Sequence, residues 1–469
     1  MTESWIVRLP ARDIADRVRS KQLTATQVLE AHLAQIAAEN PKVNAVCTVA
    51  EEKARGWAAE IDAKVAAGED PGLLAGVPVG IKDVHPTAGI RTTWGSPTKA
   101  DFVPEEDAAT VLRVKAAGAV VIGKTNTPEY AAGANTYNDV FGATRNPWDL
   151  SKSASGSTGG GAAALASRMI ALADGSDLGG SLRTPASFCG VVGLRPTPGL
   201  VPSYPTTRYF DMLPVTGPMA RDVGDTALML QALAGEDPRD PRTFPIVGRD
   251  FAGAPAKSVE GLRIAYISDF AKIGVEPEID EICRAATYQI GTWGAKVEEI
   301  DLDLSFAREA FLQLRGQLMV TAHLDRIGLV DKFGPNLAGN IRRGLAQGPK
   351  DVAQGEVTRS KLVDEWTKVF AKYDAVCCPC SPVAPFPVEQ NYPEVIAGKK
   401  MTTYIDWVAA TFLVTMAGLP AISVPAGLDA NRLPVGLQIV TRRHREEQML
   451  ALAAKVEKMR PIGFAPSHA

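Results

Sequence analysis

Histidine is scarce in this chain, with five in 469 residues: His32, His85, His323, His444 and His468. Only His85 lies beside residues of chemical interest, which leaves a Ser-His-Asp triad without support. No HExxH-like pair is present for zinc hydrolysis. The six cysteines are too few for a disulfide framework in so long a chain. Cys377, Cys378 and Cys380 cluster in DAVCCPCSP, where Ala375 and Val376 read as an apolar strand entering a proline-rich turn. With no histidine nearby they read as structural thiols, and no metal site is expected. No apolar run approaches the ~20 residues that cross a bilayer. A net charge of −3 offers no basic field for nucleic acid or anionic lipid. The N-terminus MTESWIVRLPARDIADRVRS lacks the parts of a secretory signal, so a cytoplasmic enzyme is the expectation.

What is present is ordinary globular composition, 46% apolar and 22% charged, patterned as alternating elements. Residues up to about 66 read as helical: Thr24 and Gln27 fit a capping box opening TATQVLEAHLAQIAAEN, and Gly68 ends a second helix. Beyond, GVPVGI reads as a strand, DAATVLRVKAAG as a helix and AVVIG as a strand. GGGAAALASRMIALA reads as one helix. DTALMLQALAG, LRIAYIS, EIDEICRAATYQIGTWG and KVEEIDL continue the alternation. PAISVPAG and LPVGLQIVT supply late strands before the helix REEQMLALAAKVEK. This order predicts an α/β protein with a large central sheet covered by helices. No repeat, low-complexity tract or linker divides it, so a single domain over 1–469 is expected, with a catalytic core over about 67–220. The stretch 305–356 reads as an irregular helical insertion, broken by glycines, that shapes a pocket.

Gly118 to Thr125 formally matches a phosphate-binding loop, but its intervening residues are a β-prone run, so nucleotide binding is not expected. Three other segments make unusual demands together. GVPVGIKDV carries Lys82 out of an apolar strand; alone, such a lysine merely snorkels to solvent. SASGSTGGGAAALA surrounds Ser157 and Thr158 with glycines, which a helix-capping loop would also do. ADGSDLGGSLRTPASFCG places two glycines before Ser181, so that several backbone amides can point at one spot, as in an oxyanion hole.

In this order, with AGVPVGIKD, GAVVIGKTNTPEY, FGATRNPWDLS, GSDLGGSLRTPASFCGVVGLRPT, LPVTGPMARDVGDTALML, GLPAISVP and LPVGLQIV, the chain resembles the amidase signature family over most of its length. The resemblance implies a mixed sheet sandwiched between helices and a Ser–cis-Ser–Lys triad. In it Ser181 takes the place of the nucleophile, Ser157 of the bridging serine in a cis peptide, and Lys82 of the base. The amides of Leu178, Gly179, Gly180 and Ser181 would form the oxyanion hole, with Ala131 at a nearby backbone contact. Asp177 and Arg183 fall at positions flanking the nucleophile and read as a pair holding its loop. Ser155 departs from the usual glycine, and Thr158 stands where a second serine is common while keeping a hydroxyl.

The chemistry fits these positions. Lysine titrates near ~10.4 and must be desolvated to act as a base at neutral pH. A serine both donates and accepts, so Ser157 can relay a proton between Ser181 and Lys82. The implied activity is amide hydrolysis of a small molecule through an acyl-enzyme, with no cofactor, metal, nucleic-acid or membrane partner, in a monomer or homodimer. Rival readings are a hydrolase of carbamates (a urethanase), ureas or esters, a glutaminase-type subunit of a tRNA-dependent amidotransferase, and a catalytically dead relative. His85, Tyr130, Tyr204, Tyr209 and parts of 305–356 are candidates to line the pocket.

Overall fold

The computed structural model describes residues 5–468, so the first four residues of the predicted N-terminal helical segment lie outside it. Eleven strands form one mixed sheet. In chain order they are β1 (Val46–Val49), β2 (Pro78–Lys82), β3 (Val120–Thr125), β4 (Leu172–Asp177), β5 (Val192–Arg195) and β6 (Val215–Ala220). These are followed by β7 (Arg263–Tyr266), β8 (Lys296–Glu299), β9 (Ala375–Pro379), β10 (Ala421–Leu428) and β11 (Pro434–Thr441). Across the sheet they lie in the order β1-β3-β2-β4-β6-β5-β10-β11-β9-β7-β8. β2 runs parallel to both β3 and β4, and β9, β7 and β8 form a second parallel group. The strands between them pair antiparallel. This is the α/β architecture expected. The strands β2, β3 and β11 are buried along their whole length, which is why they read as continuous apolar runs rather than alternating ones.

The capping box at Thr24 and Gln27 forms in both directions, at 3.0 and 2.9 Å, and opens the helix Ala25–Val43. The helical reading of the N-terminal segment missed β1, a four-residue strand pairing with the edge of β3. It is too short to show a period. GGGAAALASRMIALA is not one helix. The helix stops at Ala166, Arg168 turns back with φ of 61°, and Leu172 begins β4. Every residue of Gly159–Ala166 is buried, and its small side chains let it lie against the chain leaving β3. A Cβ on Gly160 would come within 2.3 Å of the Asn126 backbone nitrogen.

The stretch 305–356 is more regular than its glycines suggested. It holds the helices Arg308–Ala322 and Pro335–Leu345 and the start of Pro349–Lys372. Gly344 does not break a helix; it lets one pass another, since a Cβ there would lie 2.2 Å from the Gly316 carbonyl oxygen. These helices bring Phe311 face to face with Phe412, ring centroids 4.1 Å apart, in an apolar cluster with Trp366 and Trp407. Among the described residues no helix is long and apolar enough to cross a membrane.

Gly160→Ala forces a methyl into backbone and should cost roughly 3 kcal/mol of stability. Gly161→Ala, whose nearest contacts would be side-chain atoms at 3.2 and 3.3 Å, should cost clearly less. Denaturant midpoints of the two variants check the difference.

Candidate active site

β2 and β4 are parallel neighbours, so their C-terminal ends open on the same edge of the sheet. Lys82 is the last residue of β2 and is fully buried. Its Nζ donates to three hydroxyls: Ser157 Oγ at 2.7 Å, Thr158 Oγ1 at 2.8 Å and Ser176 Oγ at 3.0 Å. No carboxylate among the described residues forms an ion pair with it. Burial therefore pushes the amine down to about 7, against the opposing pull of Asp174 and Asp177.

The Gly156–Ser157 peptide is cis. Ser155, just before it, has φ of 58°, a left-handed conformation that explains why glycine is the easier residue there. The Ser155 amide donates to Ser153 Oγ at 2.9 Å and its carbonyl accepts from Thr136 Oγ1 at 2.8 Å, which fixes the loop path.

Asp177 ends β4 and organises the turn that follows. Its carboxylate accepts from Arg183 Nη2 at 2.7 Å and Nε at 3.0 Å, and from the amides of Gly180 and Leu182 at 3.1 Å each. Burial would raise Asp177, but Arg183 and Arg195 hold it down at about 2. Gly180 has φ of 116°, and a Cβ there would sit 2.3 Å from Thr411 Oγ1, so conformation and space both demand glycine. The Thr411 hydroxyl donates to the Gly179 carbonyl at 2.6 Å, holding that carbonyl back.

Ser181 follows on this turn. Its carbonyl accepts from the Thr158 amide at 3.2 Å, which sets its backbone beside the Ser157 loop. Ser157, Ser181, Leu178, Gly179 and Ala131 all line one cavity of about 540 Å³. Among the described residues the Ser181 hydroxyl makes no hydrogen bond, so Lys82 and Ser157 are joined here while Ser181 Oγ is not joined to them. Of the amides expected to form an oxyanion hole, that of Gly180 is already committed to Asp177. The Ala131 amide is held by the Pro128 carbonyl at 2.8 Å, which leaves its carbonyl side for contact.

His85, Tyr130 and Tyr204 line the cavity as expected, and Tyr209 is not among the lining residues. The helix Arg308–Ala322 supplies Arg315, Leu318, Met319 and Ala322. Sequence reasoning passed over Asp174, whose carboxylate accepts from the Lys82 amide at 2.7 Å and contacts His85 Nδ1 at 2.7 Å. It also passed over Ser176. Both sit two apart on a buried strand, and that alternation was a usable signal. Thr411 gave none. The Gly118–Thr125 decoy is largely buried strand, and its Lys124 Nζ donates to Thr87 Oγ1 at 2.8 Å. Cys377, Cys378 and Cys380 are buried free thiols, all pushed well above the ordinary thiol range by burial.

Fold and cleft together define an α/β enzyme of the class that hydrolyses carbon–nitrogen bonds. The chain belongs to the amidase signature family, whose model, described as Amidase, matches residues 27–450. It is 34% identical to the A subunit of glutamyl-tRNA(Gln) amidotransferase from Thermosynechococcus vestitus, over 94% of this chain and 96% of the relative. A solved bacterial aryl acylamidase of the same family superposes with a TM-score of 0.89 at 29% identity, covering 96% of each chain. The solved A subunit of the amidotransferase from Thermotoga maritima superposes at 0.77 with 30% identity, covering 98% of each chain.

Arg183→Met leaves Asp177 buried with one partner removed and should cost about 3–5 kcal/mol at neutral pH. Asp177 titrates lower folded than its ordinary 3.8, so its contribution is complete above that value and fades as pH falls toward about 2. Denaturant midpoints across this acid range should therefore fall less steeply in the variant than in the wild type.

Proposed function

We propose that this chain is an amidase that hydrolyses the carbon–nitrogen bond of a small-molecule amide through an acyl-enzyme on Ser181. The observation that carries the reading is a buried lysine held near 7 and bonded directly to Ser157 at 2.7 Å. The three hydroxyl contacts use all three N–H directions of an ammonium. Once deprotonated, the amine has a lone pair aimed at a hydroxyl. Ser181 Oγ attacks the carbonyl while its proton passes to Ser157 and that of Ser157 to Lys82. The step requires a hydrogen bond between Ser181 Oγ and Ser157 Oγ, for which the Ser181 hydroxyl, engaged by no other described residue, is available. The tetrahedral oxyanion is received by the amides of Leu178, Gly179 and Ser181, with Gly180 shaping the turn through Asp177. Lys82 returns its proton through Ser157 to the leaving amine, and water then clears the acyl group. Thr158 and Ser176 orient the lysine, and Asp177 with Arg183 holds the nucleophile loop. Carbamates, ureas and esters present the same carbonyl to the same groups, so they belong in the substrate screen.

A second reading, a glutaminase-type subunit working inside a tRNA-dependent complex, is favoured by the 34% identity to such subunits. Two observations favour the first. The higher structural similarity is to an aryl acylamidase, 0.89 against 0.77. Glutamine also carries an α-ammonium, and among the described residues the one carboxylate lining the cavity, Asp177, is already spent on Arg183 and two amides. The pure chain should therefore hydrolyse members of a panel of aliphatic amides, anilides and aryl carbamates with no other protein added. Activity that appears only with partner proteins would favour the second reading.

Ser181→Ala and Lys82→Ala should each lower kcat/KM by roughly 10⁴-fold or more, with Ser157→Ala severely impaired. A Lys82→Ala enzyme turning over at the wild-type rate would reject the mechanism. The neutral amine is the base and its folded value lies near 7, so kcat/KM should rise with pH through that point and fall below it. A profile flat from pH 5 to 9 would assign the base elsewhere.

A further inference from the structure

Four arginines line the cavity: Arg208, Arg242, Arg315 and Arg326. Three have a carboxylate close by, Arg208 with Asp211 at 3.4 Å, Arg242 with Asp240 at 2.8 Å and Arg326 with Asp325 at 3.2 Å. Arg315 has none among the described residues, although it is only 4% exposed. Its partners are neutral. Nε donates to Asn340 Oδ1 at 3.1 Å and Nη2 to Tyr404 OH at 2.9 Å. Asn340 Nδ2 in turn donates to the same Tyr404 oxygen at 2.6 Å and to the Asn336 carbonyl at 2.6 Å. The guanidinium is thus fixed in orientation from behind, and its Nη1 makes no hydrogen bond to any described residue.

A guanidinium remains charged at any working pH, and burying it without a counter-ion is costly. Three other nitrogens of cavity-lining residues, Arg208 Nε, His323 Nδ1 and Arg326 Nε, are buried without hydrogen-bond partners, and the two arginine nitrogens form ion pairs with Asp211 and Asp325 at 3.4 and 3.2 Å. Burial and the neighbouring Arg326 and Arg208 push His323 down to about 4, so it is a neutral imidazole and adds no charge of its own. Arg315 is thus the cavity arginine left without a counter-ion among the described residues.

The helix that carries Arg315 also reaches the Ser181 turn. Phe311 lies four residues before Arg315 on the same helix face. Its ring reaches within 3.8 Å of where a Cβ on Gly179 would be. Arg315, one turn further along the same helix, lines the same cavity as Leu178, Gly179 and Ser181.

We propose that Arg315, held by Tyr404 and Asn340, is a carboxylate-binding subsite. The substrates it selects are amides carrying a carboxylate on a short chain that fits the cavity. A planar guanidinium fixed from behind offers a carboxylate charge-assisted hydrogen bonds that a neutral chain end cannot accept. The inference rests on the amidase reading and narrows it.

The test compares isosteric pairs. On the acyl side, the mono-para-nitroanilides of succinic, glutaric and adipic acids are set against the para-nitroanilides of butanoic, pentanoic and hexanoic acids. On the amine side, N-pentanoyl-γ-aminobutyrate is set against N-pentanoyl-butylamine, with the released amine measured. In one arm the acid should be preferred by at least about tenfold in kcat/KM, mainly through KM. Arg315→Met should collapse that ratio toward one, Arg315→Lys should retain part of it, and Tyr404→Phe should lower it severalfold. A ratio near one in both arms of the wild type, or a ratio unchanged in folded Arg315→Met, overturns the proposal. Binding of glutaric acid monoamide and of pentanamide to Ser181→Ala, compared by calorimetry, reads the subsite without turnover. Preference for the acid there alongside no hydrolysis of any amide would keep the subsite and remove the amidase reading; equal binding removes the subsite.

Discussion

A lysine amine enclosed by hydroxyls, with no carboxylate touching it, is the constraint on which the rest of this site depends. Full burial drives the amine toward neutrality, and only the more distant Asp174 and Asp177 keep it from going further. A direct ion pair would restore an ordinary ammonium, and an open site would do the same through water. The fold meets both conditions by placing Lys82 at the end of a strand buried at every residue. The space around it is then closed with Ser157, Thr158 and Ser176, groups that hydrogen-bond the amine without charging it.

Asp177 is the second organising group, and it joins distant parts of the chain. Through Arg183 it is tied to the Thr411 carbonyl at 3.0 Å, Thr415 Oγ1 at 3.0 Å and Gln438 Oε1 at 2.6 Å. The turn that carries Ser181 is therefore fixed from β4, from the helix Ala409–Met416 and from β11 together. A buried carboxylate with this many donors has little freedom, and that rigidity holds the turn from Leu178 to Ser181 in place. The same charge contributes to the field on Lys82. One residue thus shapes the turn and helps to set the titration of the proposed base.

Much of this was legible in the sequence, for a physical reason. Turns that need left-handed backbone or close approach leave glycines in fixed places, as Gly160 and Gly180 do, and an apolar strand ending in lysine is plain on the page. β1 was not legible, because four residues beside an amphipathic helix show no period. Gly316 and Gly344 read as breaks because glycine permits both a bend and a close helix crossing, and only the partner helix tells which. Asp174 was passed over although it shares a strand face with Ser176, because that spacing does not say what the face meets, here the Lys82 amide and the His85 imidazole. The commitment of the Gly180 amide to Asp177 depends on a carboxylate three residues back folding over the turn, which spacing alone does not reveal.

The difference between the two halves of the cavity follows from the same reasoning. The half that holds Lys82 and the serine loops is constrained by backbone geometry, so it can stay the same while the substrate differs. The opposite wall is built from side chains on the helix Arg308–Ala322 and the segment after it, where any residue that preserves the Phe311–Phe412 packing preserves the fold. That wall is free to change its chemistry without disturbing the amine. Whole-chain identity to amidotransferase subunits is therefore weak evidence about substrate, because the constrained half contributes to it whatever the substrate is. The charge of the far wall bears on the question more directly. An ammonium-bearing substrate would face arginines with no available carboxylate, whereas a neutral or anionic one would not.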